Sequence, residues 1–131
     1  MASEVKVAKR EGGILEISLN APASGNALSA EMALDVTKAL ANLDPDTRVV
    51  LFTGEGDDFC AGRRASMPPP GTRKTALELK AIVADPVLDF YEVLRNVPVP
   101  VIARVRGKAA GVGCALAALA DVAVCAESAE F

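Results

Sequence analysis

The chain opens with two short apolar runs separated by a pair of glycines. Val5 and Val7 alternate with polar residues, and a second run follows the glycines at residues 12–13. Alternation with a period of two is typical of a strand with one buried face, and a glycine turn between two such runs is typical of a hairpin. The second run consists of Ile14, Leu15, Ile17 and Leu19. The first twenty residues therefore predict a β-hairpin.

A helical pattern begins after the turn-forming segment LNAPASGNALS at residues 19–29. Its last residue, Ser29, is predicted to be the N-cap, and Glu31 lies in the first turn, where the helix dipole favours a carboxylate. Asp44 and Pro45 end the pattern. Apolar residues recur at helical spacing and form one buried face, at Ala33, Val36, Leu40 and Leu43.

The middle of the chain predicts a strand, a loop and a divided helix. RVVLFT at residues 48–53 is a continuous apolar run, which is typical of a strand covered on both faces in a parallel sheet. Residues 65–75 contain three successive prolines and a glycine, and they predict a mobile surface loop. The pattern is helical again over residues 75–96, but Asp85 and Pro86 are expected to divide it into two pieces.

The last third predicts another strand at residues 99–105, a glycine-containing turn at residues 107–113, a helix from about Cys114 and an apolar strand at residues 122–126. Strands that alternate with helices favour an α/β fold with a parallel sheet. We expect residues 1–131 to form a single domain.

Composition narrows the class of protein. A chain of 131 residues with 51% hydrophobic residues and a net charge of -3 suits a compact domain that does not bind nucleic acid. The absence of a long apolar run or a basic, apolar N-terminus favours a cytoplasmic protein without a membrane partner. The three cysteines lie among apolar residues, so we expect buried thiols at Cys60, Cys114 and Cys125.

Histidine is absent from the sequence, which removes the usual general base and the commonest metal ligand. The sequence also has no cysteine pairs with zinc-ligand spacing, no P-loop and no dinucleotide fingerprint. We therefore expect no metal site.

The turn at residues 107–113 is the best candidate for an anion site. Glycines just before a helix let the backbone approach a ligand closely and leave the first helical amides unpaired. The alternative is that these glycines only allow the helix to pack tightly on a strand.

Four segments in order resemble the crotonase, or enoyl-CoA hydratase/isomerase, superfamily. They are LNAPASGNALS, RVVLFTGEGDDFCAGRR, PVPVIARVRGKAAGVG and LAALADVAV. The resemblance implies an α/β spiral of repeated strand-strand-helix units that acts on an acyl-CoA in fatty acid metabolism. Coenzyme A would be part of the substrate, and no separate cofactor is expected.

The resemblance also implies the site residues. The backbone amides of Arg63 and Val112 would hold the thioester oxygen as it becomes an enolate oxyanion, in what the family calls an oxyanion hole. Because these donors are main-chain amides, a valine at position 112 is compatible with the role. Four basic residues are candidates for the CoA phosphates, with a solvated surface position as the alternative for each: Arg63, Arg64, Arg73 and Lys74. The substrate-binding turns would be shaped by Ala61, Gly62, Gly111 and Gly113.

The chain departs from the pattern of family hydratases, which use two glutamates. Ala115 occupies the position of the first, the second would lie just beyond Phe131, and Arg64 replaces the usual aspartate. Family isomerases use only the second carboxylate, so the resemblance favours an enoyl-CoA isomerase whose base lies beyond residue 131. We interpret residues 1–131 as the front half of a longer domain, ending before its C-terminal helices.

Two alternatives stay open. One is an enoyl-CoA hydratase or another enolate-forming reaction, and the other is CoA binding or subunit interaction without catalysis. The remaining acids, Asp89, Glu92 and Asp121, are interpreted as solvated or capping groups, and Tyr91 as a core residue. Family members form trimers and hexamers, so we expect a homo-oligomer if the complete domain is present.

Overall fold

The computed structural model describes residues 3–65 and 68–131, apart from the side chain of Val83. A π-helical segment at Lys80–Ala84 joins the second helix to the third. The strands are β1 (Val5–Arg10), β2 (Ile14–Leu19), β3 (Val49–Gly54), β4 (Val101–Val105) and β5 (Val122–Cys125). The helices are α1 (Ala30–Ala41), α2 (Ala76–Leu79), α3 (Asp85–Arg95) and α4 (Val112–Leu119).

The five strands form one sheet in chain order. β1 and β2 are antiparallel, whereas β2, β3, β4 and β5 run parallel to one another. A row of fully buried side chains crosses this sheet, because Ile17 pairs with Phe52 and Phe52 with Ala103. Residues of α1 and α3 join the same core, including Val36, Leu40, Phe90 and Leu94. The mixed α/β fold is confirmed.

Several local predictions are also confirmed. The hairpin forms with β1 and β2 in register from Val5 opposite Leu19 to Arg10 opposite Ile14. Ser29 is the N-cap of α1, and its hydroxyl accepts a hydrogen bond of 3.1 Å from the Met32 amide. The second helical region changes type where expected, since α3 begins at Asp85 with Pro86 in its first turn, but the predicted break is absent because the π-helical segment keeps the helical backbone continuous.

Burial of the sheet differs from the prediction on one face. Val49 and Leu51 on β3 are only half-buried. The strand was expected to be buried on both faces of the sheet, but only one of its faces is fully buried. β5 is the edge strand beside β4, and all four of its residues are exposed. The prediction of three buried thiols is therefore wrong for Cys125, which is exposed, while Cys114 is half-buried and Cys60 fully buried.

Two further predictions concern the mobility of the proline-containing loop and the number of domains. In the proline-containing loop, Ser66 and Met67 lie outside the described residues, and residues 68–75 are mostly exposed. The loop's mobility and the single-domain organisation stay predictions. No helix within residues 3–65 and 68–131 has both the length and the apolarity needed to span a bilayer.

Candidate functional site

The site is built from two turns, which we name the β3 turn (residues 59–64) and the β4 turn (residues 107–113). Because β3 and β4 are parallel neighbours, the segments that follow them leave the same edge of the sheet. Backbone hydrogen bonds then join the turns directly. The Cys60 N–H donates to the Lys108 carbonyl at 2.9 Å, and the Ala110 N–H donates to the Cys60 carbonyl at 3.0 Å. The two turns thus pair with each other beyond the ends of the strands, in a register that differs from that of β3 and β4.

Glycines let the two turns approach closely. Gly111 has φ of 54° immediately before α4, a backbone conformation that L side chains rarely adopt. This break places the start of α4 at Val112, two residues earlier than the predicted Cys114. A Cβ at Gly113 would overlap the carbonyl oxygen of Cys60, and one at Gly62 would lie 3.7 Å from the Ala110 carbonyl oxygen. The turns therefore pack backbone against backbone.

The N–H of Arg63 faces away from Leu28, the residue with which Arg63 pairs. Leu28 forms a parallel bridge with Arg63, in which the Leu28 N–H donates to the Gly62 carbonyl at 2.8 Å and the Arg64 N–H donates to the Leu28 carbonyl at 2.9 Å. In this pattern the flanking residues make the bonds, and the N–H of Arg63 faces the opposite side. Among the residues that the structure describes, it has no acceptor.

The Val112 amide is likewise a donor without a partner in the described chain. It is the first residue of α4, so its N–H has no carbonyl within the helix, and the helix dipole adds partial positive charge at this end. The structure therefore brings together the two turns that carry Arg63 and Val112, with Ala61, Gly62, Gly111 and Gly113 inside them. Their roles in binding substrate stay predictions.

Asn26 supports this arrangement and was not predicted as a site residue. Its side chain is fully buried, and its amide nitrogen donates to the Glu55 carbonyl at 2.8 Å and to the Asp58 carbonyl at 2.7 Å. Its amide oxygen accepts from the Ala21 N–H at 2.8 Å. The only local signal in the sequence is an asparagine in a turn, where its φ of 56° is tolerated better than for most residues.

Two more side chains brace the turns from their ends. One carboxylate oxygen of Asp58 accepts a hydrogen bond of 2.9 Å from the Lys108 N–H. Arg106 donates to the carbonyls of Gly54 and Gly56 at 2.8 Å and 2.6 Å. Such contacts depend on which strands are neighbours, and the linear sequence does not display them.

Arg64 is held by a carboxylate at the start of β1. One guanidinium nitrogen of Arg64 lies 2.6 Å from each carboxylate oxygen of Glu4, and Ser29 donates to the same carboxylate at 3.0 Å. The hydrogen bond from Arg64 is the main reason that the pKa of Glu4 lies below its usual range. The predicted contact of Arg64 with CoA phosphates stays a prediction.

The described surface has two larger clefts, of which one is lined by residues of the β3 turn. One of about 440 Å³ is lined by residues that include Glu4, Glu31, Arg63 and Arg64. The other, of about 640 Å³, lies between α3 and the end of α4 and includes Leu88, Tyr91 and Leu119. Tyr91 is half-buried, and burial is the main cause that raises its pKa. Its predicted core role is met only in part.

The described acids form no obvious catalytic pair. Ala115 lies on α4 where the resemblance places the first glutamate of hydratases. Asp89, Glu92 and Asp121 are all exposed, and Asp121 accepts at 2.7 Å from the N–H of Val101, which belongs to strand β4 and not to a helix end. The backbone of Glu130 bonds on both sides of Lys108, at 2.8 Å to the Ala109 N–H and at 2.9 Å to the Gly107 carbonyl.

Sequence comparison matches residues 9–131 to the family model described as enoyl-CoA hydratase/isomerase. A probable enoyl-CoA hydratase of Rhodobacter capsulatus is 34% identical over 119 residues, which cover 91% of this chain and 45% of that protein. The peroxisomal enoyl-CoA delta isomerase 3 of Mus musculus is 32% identical, over 92% of this chain and 38% of that protein. The chain thus spans less than half the length of these curated relatives.

Solved structures of an enoyl-CoA hydratase and of a candidate hydratase also superpose on this chain. An enoyl-CoA hydratase of Mycobacterium smegmatis superposes with a TM-score of 0.84 at 30% identity, covering 98% of this chain and 49% of its own. An enoyl-CoA hydratase candidate of Thermobifida fusca, solved in complex with acetoacetyl-CoA, has a TM-score of 0.78 at 26% identity, with coverage of 96% and 52%. One relative is named as peroxisomal, so the cytoplasmic location stays a prediction.

Proposed function

We propose that this chain, which belongs to the enoyl-CoA hydratase/isomerase family, provides the enolate-stabilising half of an acyl-CoA isomerase that moves a carbon–carbon double bond. The support for an acyl-CoA substrate is the family itself and the related structure that holds acetoacetyl-CoA. Coenzyme A would enter as part of this substrate, and fatty acid metabolism is the setting that we propose.

The observation that carries the proposal is the pair of bonded turns, in which the amides of Arg63 and Val112 have no acceptor among the described residues. When a proton leaves the carbon next to a thioester carbonyl, negative charge builds on the carbonyl oxygen. Preorganised N–H donors in a site that excludes water stabilise such charge, and losing one donor costs about 3–4 kcal/mol of barrier. Two turns that approach through glycines can present both donors to one oxygen.

In the proposed reaction, a base removes a proton from the carbon next to the thioester carbonyl, and the two amides hold the resulting dienolate. The proton then returns to the far end of the conjugated system, so the double bond moves and the composition of the acyl group is unchanged. Since Ala115 has no acid, we assign the base to a carboxylate outside residues 1–131. The whole protein is proposed to be a homotrimer or hexamer.

The second candidate is a hydratase or another enolate-forming reaction, because a hydratase is among the relatives. Hydration requires a group that activates water, and the alanine at position 115 cannot do so. A third candidate, binding of CoA thioesters or of a partner subunit without catalysis, follows from the lack of an assigned base among the described residues.

The deciding experiment assays the protein in its longest natural form with 3-enoyl-CoA and 2-enoyl-CoA substrates. We expect the double bond of the 3-enoyl-CoA to move without addition of water. Formation of a 3-hydroxyacyl-CoA from the 2-enoyl-CoA would instead support the hydratase. Tight binding of both thioesters with no turnover would support the non-catalytic role.

A further inference from the structure

We propose that Glu4 and Arg64 are positioning residues for the Arg63 amide, so that Arg64 acts on the substrate through the β3 turn and not as a ligand of the CoA phosphates. The proposal rests on the function proposed above, because it assigns the Arg63 N–H to a thioester oxygen. It concerns a residue pair that is far apart in sequence, at positions 4 and 64.

The residue that follows Arg63 is held at both its backbone and its side chain. The Arg64 N–H donates to the Leu28 carbonyl at 2.9 Å. Its guanidinium lies 2.6 Å from both oxygens of Glu4, and Glu4 in turn accepts from Ser29, the N-cap of α1. The exit of the β3 turn is thus tied to the start of β1 and to the start of α1.

The magnitude of the interaction favours a role in position over a role in stability. The Arg64 side chain is 43% exposed and the Glu4 side chain 33% exposed, and ion pairs with such exposure contribute little to folding. An oxyanion donor, however, has to stay within about 0.5 Å of its productive position. A pair that is too weak to affect unfolding can therefore still determine where the Arg63 N–H points.

The charges around Arg64 argue against a phosphate ligand. The cleft that it lines also contains the carboxylates of Glu4 and Glu31, which offset the charges of Arg63 and Arg64. A phosphate at this guanidinium would lie beside the ionised Glu4 and would be repelled by it. The ion pair between Arg64 and Glu4 can hold the β3 turn in place without bringing two negative charges together.

The test compares two ligands of the protein in its longest natural form, acetoacetyl-CoA and CoA itself, by isothermal titration calorimetry. Both carry the same phosphates, but only acetoacetyl-CoA has a thioester oxygen to bind the amides. In Arg64→Met and in Glu4→Gln we expect the affinity for acetoacetyl-CoA to fall by about tenfold, since small misplacements of a donor are costly. The affinity for CoA should stay within twofold of the parent, and Arg64→Lys should recover part of the loss.

The matched control is Arg10→Met, which removes the exposed pair between Arg10 and Glu16 on the hairpin, at 3.1 Å and 3.3 Å, and should change neither affinity. Circular dichroism checks the fold of each variant, and Glu4→Gln gives a second test should Arg64→Met not fold. Equal losses for both ligands would make Arg64 a phosphate ligand and overturn the proposal, as would unchanged affinities. A full-length parent that binds neither ligand would refute the proposed function, whereas a parent that binds both, with variants that match it, would refute this proposal alone.

Discussion

At the scale of single residues, the two proposed donors differ from most catalytic groups because they belong to the main chain. Their side chains do not carry the chemistry, so an ordinary alanine scan would miss them. Removing a main-chain N–H requires proline, and Val112 is a suitable position because proline is well tolerated as the first residue of a helix.

We expect Val112→Pro to lower the rate of the isomerase reaction by about a hundredfold or more, because one oxyanion donor is lost. Steady-state kinetics with a 3-enoyl-CoA measures this in the full-length protein. The matched control is Ala30→Pro, the first residue of α1, which should leave the rate unchanged. Unchanged turnover in a folded Val112→Pro protein would refute the role of this amide.

Asn26 is the residue on which the geometry of the turns most depends. Replacing it with alanine leaves two part-buried carbonyls and one N–H without their partners. We expect Asn26→Ala to lower the free energy of unfolding by about 2–4 kcal/mol. Urea denaturation provides the measurement.

Asn42 is the matched control for this loss, because its side chain bonds to the Lys38 carbonyl at an exposed position. Asn42→Ala should change the free energy of unfolding by no more than about 0.5 kcal/mol. Equal effects of the two substitutions would show that the Asn26 contacts do not hold the loops together.

At the scale of elements, the approach of α4 to the β3 turn is set by Gly113. Alanine normally favours a helix over glycine by about 1 kcal/mol. Here a Cβ would overlap the Cys60 carbonyl, so we expect Gly113→Ala to destabilise the protein by about 1–3 kcal/mol despite that gain.

Thermal unfolding of Gly113→Ala tests this close approach. The control is Ala115→Gly in the same helix, which removes a half-buried methyl group and should show only the ordinary helix penalty of about 1 kcal/mol. A higher melting temperature for Gly113→Ala would mean that the helix has room to move away from the turn.

The elements themselves were largely predictable because each depends on local chemistry. The period of two in the hairpin, the N-cap at Ser29 and the start of α3 at Asp85 all involve neighbours within a few residues. The contacts that build the site were not predictable in this way. Asn26 bonds to residues 29 and 32 positions away, and Arg64 to one 60 positions away, so their partners are known only once the strand order is known. The two turns themselves were found from the family resemblance.

At the scale of the whole molecule, β5 leaves an apolar surface open. Val122 and Val124 are 52% and 56% exposed on an edge strand, a combination that favours pairing with another chain. We expect the 131-residue chain to self-associate as its concentration rises, and Val124→Lys to suppress this. Sedimentation velocity over a concentration series measures it.

Val7 provides the control for β5, since it is 49% exposed on the opposite edge strand, β1. It differs from the β5 valines in having lysines nearby in the same strand, at Lys6 and Lys9. Val7→Lys should leave the association unchanged. A parent chain that stays monomeric over the whole series would show that exposure of β5 does not drive association.

The bridge between Cys60 and Ala109 has a consequence for folding. It pairs the two turns that follow β3 and β4, and under the proposed role a slip of one residue there would change which backbone groups face the substrate. Under the proposed role, a collapsed chain with all its helices and strands but the wrong alignment would have no affinity for a thioester. Recovery of acetoacetyl-CoA binding during refolding would then report when the two strands reach their native register, a step that far-ultraviolet circular dichroism does not see.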